Sequence, residues 1–301
     1  MPQRVAVLMG GWSAEREISL ISGAACAEAL LSAGFDVTRI DIKRNVQEIV
    51  NQLNPKPDVI FNALHGRYGE DGCVQGLLNI LGIPYTHSGL LASALAMDKP
   101  TAKKLFEAAG IPVASHEIKQ KQEFLSGEIM AAPYVVKPVN EGSSVGVHII
   151  SKGVVGSPFT SSDWPFGDLV MVEKYIEGRE LTVAVLEDRA LAVTEIIIPK
   201  GFYDYDAKYL DGRSTHIIPA DIPECLSAQI MGYAVLAHKA LGCRGVTRAD
   251  FRYDGDKAYI LEVNTQPGMT PTSLLPEQAA YAGIPFRDLI VWMIQHAECD
   301  T

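Results

Sequence analysis

GVTRADFRYDGDKAYILEVNTQPG, from Gly245 to Gly268, sets two alternating apolar segments either side of an Asp-Gly turn signal and so predicts a β-hairpin. Its strands also carry Arg248, Asp250, Glu262 and Asn264, which a plain core hairpin does not need. Side chains two apart on a strand share a face, so Glu262 and Asn264 point the same way. Asp250 stands opposite Glu262 if the connecting loop is Gly255 to Lys257. A tight turn at Asp254-Gly255 pairs Asp250 with Tyr259 instead and puts Glu262 opposite Thr247, on the other face. With the longer loop, three oxygen donors gather on one face. That set suits a hard cation such as Mg²⁺ better than zinc, and magnesium commonly accompanies phosphates. The competing reading is an edge hairpin with ordinary surface polar residues.

Composition bounds the rest. A chain of 301 residues, 48% hydrophobic and 21% charged, buries a sizeable core and predicts a soluble protein of two or three domains. A formal net charge of −10 argues against a general nucleic-acid binder, which needs a basic stripe for phosphates. The cysteines Cys26, Cys73, Cys225, Cys243 and Cys299 are odd in number and form no CxxC, so they suggest neither a disulfide framework nor structural zinc; a reducing cytoplasm fits best. The opening MPQRVAVLMGG has too short an apolar run for a signal peptide or a membrane span, and no later stretch reads as a span.

Residues 1–96 read as an open, parallel α/β sheet. Strands are expected at Arg4 to Met9, Phe35 to Ile42 and Val59 to Leu64, with a helix capped by Ser13 running to Leu31 and a weaker one from Val46 to Leu53. Gly10-Gly11 lacks the third glycine of a dinucleotide fingerprint, and Asp41 is the one acid available to complete it. The glycine-rich loop Ala63 to Gly72, containing His65, follows the third strand where ligand sites of such sheets form, although a satisfied loop histidine is an equal reading. Asp98-Lys99-Pro100 opens a helix over Thr101 to Gly110 and begins a second domain.

Tyr134 to Pro138 is a strand carrying Lys137. The loop after it, Asn140 to Val147, holds Ser143 and Ser144, and a strand then runs through Ile150. Backbone N–H groups beside a lysine suit a phosphate, the alternative being a glycine-rich hairpin with an exposed lysine. Gly153 to Gly167 reads as loop with at most a weak helix at Ser161 to Trp164. The strand Val170 to Tyr175 places Glu173 where edge backbone groups suit a heterocycle. A hairpin follows at Leu181 to Leu186 and Ala190 to Ile198, then a long aromatic loop from Phe202 to Tyr209. A helix from Pro223 to Leu241 precedes the opening hairpin; Thr265 to Leu275 reads as loop and Leu289 to Ala297 as a closing helix. There are no internal repeats.

Taken together, Leu8 to Glu17, Ala63 to Gly66, Met97 to Lys99, Val136 to Pro138 with Glu141 to Gly146, Phe202 to Tyr209, Arg248 to Asp250 and Glu262 to Thr270 resemble the ATP-grasp superfamily, and within it the bacterial D-alanine–D-alanine ligases. The resemblance spans essentially the whole chain. It implies an α/β and α+β architecture: the ATP-grasp fold with an N-terminal open parallel α/β domain at 1–96, a central lid domain at 97–178 and a catalytic domain at 179–301. ATP is expected between the last two. Lys99, Lys137 and Ser144 are assigned to its phosphates, Glu173 to the adenine amino group, Tyr175 and the Ile176 backbone to the adenine edge, and Glu180 to the ribose. Two Mg²⁺ ions, replaceable by Mn²⁺, are expected on Asp250, Glu262 and Asn264.

The implied reaction phosphorylates one D-alanine on its carboxylate and lets the amine of a second attack the acyl phosphate, making D-alanyl-D-alanine for peptidoglycan precursors. Arg248 and the Gly268 N–H are expected to stabilise the tetrahedral oxyanion. Glu15 and His65 are expected to bind the first ammonium, and Ser273 and the Leu274 amide the second carboxylate. Lys208-Tyr209, with Ser143 and Glu15, favours an amine over a hydroxy acid as second substrate, and the loop bearing them is expected to shield the acyl phosphate from water. The family also implies a cytoplasmic homodimer, with neither nucleic acid nor a membrane as partner. Departures from its pattern are the 153–167 segment, Arg179 in place of a common proline, and Gln266 in place of a frequent serine. Competing readings are an ATP-grasp ligase for other substrates and a nucleotide-binding regulatory module without turnover.

Overall fold

The computed structural model describes residues 2–126, 130–142, 145–151, 164–198 and 214–300. Ser143, Ser144, Lys208, Tyr209 and most of the 153–167 segment lie outside the described residues. Among the described residues three sheets carry the fold. The first is parallel, ordered β2 (Asp36–Ile42), β1 (Arg4–Gly10), β3 (Val59–Asn62). Its central strand is a continuous apolar run because both faces are covered. Val5 and Val7 pack with Cys26 and Leu30 of helix α1 (Arg16–Ser32) and with Leu289 and Met293 near the C-terminus, while Ala6 and Leu8 pack with Ile49, Leu53, Val74 and Leu78.

The second sheet is antiparallel, ordered β4 (His116–Gln120), β7 (Leu169–Lys174), β5 (Tyr134–Pro138), β6 (His148–Ile150). The third orders β10 (Thr215–Ile217), β9 (Arg189–Ile197), β8 (Arg179–Leu186), β11 (Val246–Tyr253) and β12 (Ala258–Asn264). One face of this third sheet takes the helix Glu224–Ala240 through Ile230 and Ala234, and the helix Lys99–Ala108 through Ala102 and Phe106. Arg179, the unexpected residue at the start of β8, is held in place by Glu195 across the sheet, with Nε to Oε1 at 2.7 Å, and by the Asp221 carbonyl.

The hairpin of β11 and β12 settles the register question by a route that differs from expectation. Its loop is Asp254 to Lys257, because the Asp254 carboxylate accepts the N–H groups of Asp256 and Lys257 at 2.9 and 2.7 Å and draws the turn tight. The ladder therefore leaves the loop with Tyr253 opposite Ala258. Continued regularly, that pairing would set Asp250 against Leu261 and turn Glu262 to the core face opposite Ala249. A bulge absorbs Leu261, so that Asp250 faces Glu262 and Arg248 faces Asn264, as the site requires.

Other boundaries also differ. Ser13 does not cap α1: its hydroxyl donates to the His65 carbonyl at 2.7 Å, and the helix begins after Glu15. Helices at Cys73–Leu81, Leu90–Met97 and Leu274–Tyr281 were not expected from the periodicity. The five cysteines are free, and no helix among the described residues is long and apolar enough to cross a membrane.

Candidate active site

Two adjoining cavities collect every described residue that the sequence singled out. The first is lined by Glu15, His65, Lys99, Arg248, Glu262, Asn264, Gly268, Ser273 and Leu274. The second is lined by Lys99, Lys137, Glu173, Tyr175, Ile176, Glu180, Asp250 and Glu262. Lys99, Glu141 and Glu262 belong to both, so the two cavities share one wall. That wall is charged. Lys99 stands 3.8 Å from Glu262 and donates to the Glu141 carbonyl, and its placement follows from the Asp98 carboxylate capping the helix at Thr101 N, 2.9 Å away.

Arg248 and Asp250 project from β11 on one face. The guanidinium donates to both carboxylate oxygens, Nε to Oδ1 at 3.0 Å and Nη2 to Oδ2 at 2.9 Å, a bidentate pairing that fixes its plane. Thr182, opposite on β8 and fully buried, donates to Oδ1 at 2.6 Å. The amide oxygen of Asn264 accepts the Gln266 N–H at 2.9 Å. Among the described residues no three His, Cys, Asp or Glu side chains gather as a metal cluster. The expected set holds two carboxylates and completes itself with the Asn264 amide, an all-oxygen donor chemistry that fits Mg²⁺.

The first cavity joins elements distant in sequence. Glu15, at the start of α1, is 6% exposed, and Gly66 carries φ +68° immediately beside it, where an added Cβ would lie 2.7 Å from Glu15 Oε2. Burial pushes the His65 imidazole below its ordinary pKa, which leaves it neutral and able to offer one acceptor nitrogen. Its Nε2 lies 3.3 Å from the Ser22 hydroxyl, which also takes the Met269 N–H at 3.3 Å. Ser273 precedes the helix Leu274–Tyr281 and accepts from Thr270 N at 3.0 Å, so the cavity ends on a helix N-terminus suited to a carboxylate.

Three residues that matter here were not assigned from the sequence. Glu70 lines the first cavity, and burial, reinforced by the charge of Glu15, raises its carboxyl well above the ordinary range. Arg252 ties down the segment assigned to the base and ribose: Nε donates to the Ile176 carbonyl at 3.1 Å, Nη1 to Glu180 at 3.2 Å and Nη2 to the Tyr175 hydroxyl at 3.2 Å. Gln266, 1% exposed, takes an N–H from Asn62 Nδ2 at 2.8 Å and donates to the Leu64 carbonyl, so it bolts the end of β12 to the His65 loop. Each left a partial signal in sequence: Arg252 as an arginine two residues beyond Asp250 on the same strand face, Glu70 as an acid in the glycine-rich loop after β3, and Gln266 as a departure from the family's pattern.

The family profile described as D-ala D-ala ligase C-terminus matches residues 105–295, and that described as D-ala D-ala ligase N-terminus matches 46–88. The D-alanine–D-alanine ligase of Rhodospirillum rubrum is 57% identical over 302 residues, covering 100% of both chains, and that of Acidiphilium cryptum is 56% identical over 299 residues, covering 99% of each. The crystal structure of the Bacillus anthracis D-alanine–D-alanine ligase complexed with ATP superposes with a TM-score of 0.82 at 31% identity, covering 98% of this chain and 96% of that one. The VanG D-Ala:D-Ser ligase of Enterococcus faecalis gives 0.81 at 30%, covering 98% and 99%. With the ATP-grasp architecture and a two-part cavity in place, the chain belongs to the D-alanine–D-alanine ligase family, whose members are ATP-dependent ligases.

Proposed function

We propose that this protein joins two D-alanine molecules at the expense of ATP, in the cytoplasm and as a homodimer, to supply peptidoglycan precursors. The observation that carries this reading is the shared wall. Among the described residues Lys99, Glu141 and Glu262 line both cavities, so a γ-phosphate in the second and a substrate carboxylate in the first would meet at that wall, which supports phosphoryl transfer between them. The domain division is 1–96, 97–178 and 179–301, with the nucleotide between the last two.

In this reading Glu173, Tyr175, Ile176 and Glu180 hold the base and ribose, and Lys99 and Lys137 the phosphates. Asp250, Glu262 and Asn264 would hold Mg²⁺, which when bound neutralises charge on the transferring phosphoryl group. Glu15 and neutral His65 accept hydrogen bonds from the ammonium of the first D-alanine, leaving its carboxylate to attack the γ-phosphorus; the bond from that phosphorus to the β–γ bridging oxygen breaks and ADP leaves. The amine of the second D-alanine, its own carboxylate on Ser273 and the Leu274 N–H, then attacks the acyl carbon. Arg248, held in plane by Asp250, and the Gly268 N–H face the oxyanion that forms there. Collapse of that oxyanion re-forms the carbonyl and breaks the C–O bond to phosphate, which leaves, and the attacking nitrogen gives up a proton to become the amide. Ser143, Ser144, Lys208 and Tyr209 are proposed to complete the site.

Incubating the protein with ATP, Mg²⁺ and D-alanine, then separately with D-serine or D-lactate added, tests the reading. D-alanyl-D-alanine is expected as the main product. A mixed dipeptide in excess would move the chain toward the chemistry named for VanG, and ATP binding without turnover would make it a binding module.

A further inference from the structure

Of the three lysines of the helix Lys99–Ala108, Lys99 and Lys103 stand one turn apart, and Lys99 alone lines the two cavities. Lys103 lies beneath the floor of the second cavity with none of its surface exposed. Its ammonium ion-pairs with Glu173 Oε1 and reaches the Ile260 carbonyl at 3.4 Å. The other oxygen of Glu173 takes the Lys137 ammonium at 2.5 Å, and Glu173 itself is 2% exposed on β7. One buried carboxylate thus holds two cations, one from behind and one on the cavity wall. A lysine buried this deeply carries a large desolvation cost, and no step of the proposed chemistry touches it.

Lys137 also lines the second cavity, so a phosphate bound there competes with Glu173 for its ammonium. When its ammonium turns to the phosphates, Glu173 loses one of its two partners, and without another its charge would stand unmatched in the interior. Burial pushes the Glu173 carboxyl up, but attraction from Lys103 and then Lys137 outweighs it and holds the group down at about 2. An ionised carboxylate only accepts hydrogen bonds, whereas a protonated one also donates. A 6-amino purine presents a donor to that group and a 6-oxo purine presents an acceptor. The state of Glu173 therefore decides which base fits.

We propose that Lys103 is the resident counter-ion of Glu173, a positioning residue that keeps this carboxylate an acceptor while Lys137 engages the phosphates, and that it thereby sets selection of a 6-amino over a 6-oxo purine nucleotide. This rests on reading the second cavity as the nucleotide site. The test is calorimetric binding of ATP and of ITP to the full chain without D-alanine, so that turnover plays no part, with thermal midpoints recorded alongside. Wild type is expected to favour ATP over ITP by at least about tenfold, the worth of one correctly paired buried hydrogen bond. Lys103→Met is expected to reduce that ratio at least about fivefold. Lys137→Met, which leaves Lys103 on Glu173, is expected to weaken both nucleotides and preserve the ratio. A folded Lys103→Met protein with the wild-type ratio overturns the inference. So does a Lys137→Met protein whose ratio collapses, an outcome that decides the matter even if Lys103→Met fails to fold. Wild type that binds neither nucleotide overturns the nucleotide reading and this inference with it.

Discussion

Replacing Glu262 with glutamine separates a catalytic role from a structural one. The substitution keeps shape and removes one negative charge from the wall shared by the two cavities. Its structural cost is bounded by the contacts it loses. The ion pair to Lys99 is long, at 3.8 Å, and the Glu262 side chain is 31% exposed, so solvent screening limits the pair to about 0.2–1 kcal/mol. Against this stands the relief of a like charge directly opposite on β11, Asp250, which is itself unfavourable in an antiparallel pair. The net change in stability should stay below about 1 kcal/mol, a shift in thermal midpoint of no more than about 3 °C for a chain of this size. Activity should respond on another scale. Outer-shell partners of a metal cost about 10–100-fold when lost, and groups facing transition-state charge about 10²–10³-fold in kcat, so a direct ligand is expected to cost at least about 100-fold. Phosphate release at saturating ATP and D-alanine, measured across a Mg²⁺ series beside thermal melts, reads both quantities. Parallel loss of stability and activity, or a loss of activity below about tenfold at high Mg²⁺, would refute the assignment and return Glu262 to the role of a polar residue on a hairpin.

Gln266→Leu should strand Asn62 and the Leu64 carbonyl, lower stability by about 1–3 kcal/mol and raise the KM for D-alanine more than that for ATP, as urea titration and two-substrate kinetics will show. Gly66→Ala places a Cβ 2.7 Å from Glu15 Oε2 at a left-handed backbone position; a raised KM for D-alanine with the KM for ATP unchanged is expected, and equal effects on both would contradict the placement of Glu15. Acid should destabilise the protein through its buried histidines. Burial depresses His87 to about 3 and His238 to about 4, from an ordinary 6.5, so below that value the unfolded chain binds protons that the folded chain refuses. Stability is complete above about 6.5 and falls as the pH drops toward 4, by about 2 kcal/mol per histidine near pH 5 in urea titrations, and His238→Gln should flatten the profile.

Much of this was legible in the sequence where local chemistry repeats a rule. The continuous apolar runs of β1 and β3 announced a parallel sheet buried on two faces, and spacing put Arg248 with Asp250, and Glu262 with Asn264, on one face of each strand, leaving the register to decide whether the two pairs meet. The bulge at Leu261 was not legible, because an Asx turn at Asp254 shortens the ladder by one residue and only the paired strands reveal what absorbs the difference. The helix Leu274–Tyr281 escaped because Pro276 sits in its first turn, where proline is tolerated but reads as a breaker. Leu90–Met97, apolar on nearly every side, has no polar face to give it a period. Ser13 has the residue type of a cap, yet its hydroxyl serves the His65 carbonyl, a partner 52 positions away in the chain. The same separation hid Glu70, Gln266 and the pairing of Lys103 with Glu173, since each acquires its meaning from a strand or loop that no sequence window contains.

The most direct test of the two-cavity account follows an oxygen atom. D-Alanine labelled with heavy oxygen in its carboxylate is mixed with the protein, ATP and Mg²⁺, and the released phosphate is examined by mass spectrometry. If a carboxylate in the first cavity attacks a γ-phosphate in the second, the phosphate carries a labelled oxygen for each dipeptide formed. Phosphate that appears with dipeptide but without label would contradict the acyl phosphate, and with it the claim that the shared wall of Lys99 and Glu262 is where the chemistry occurs.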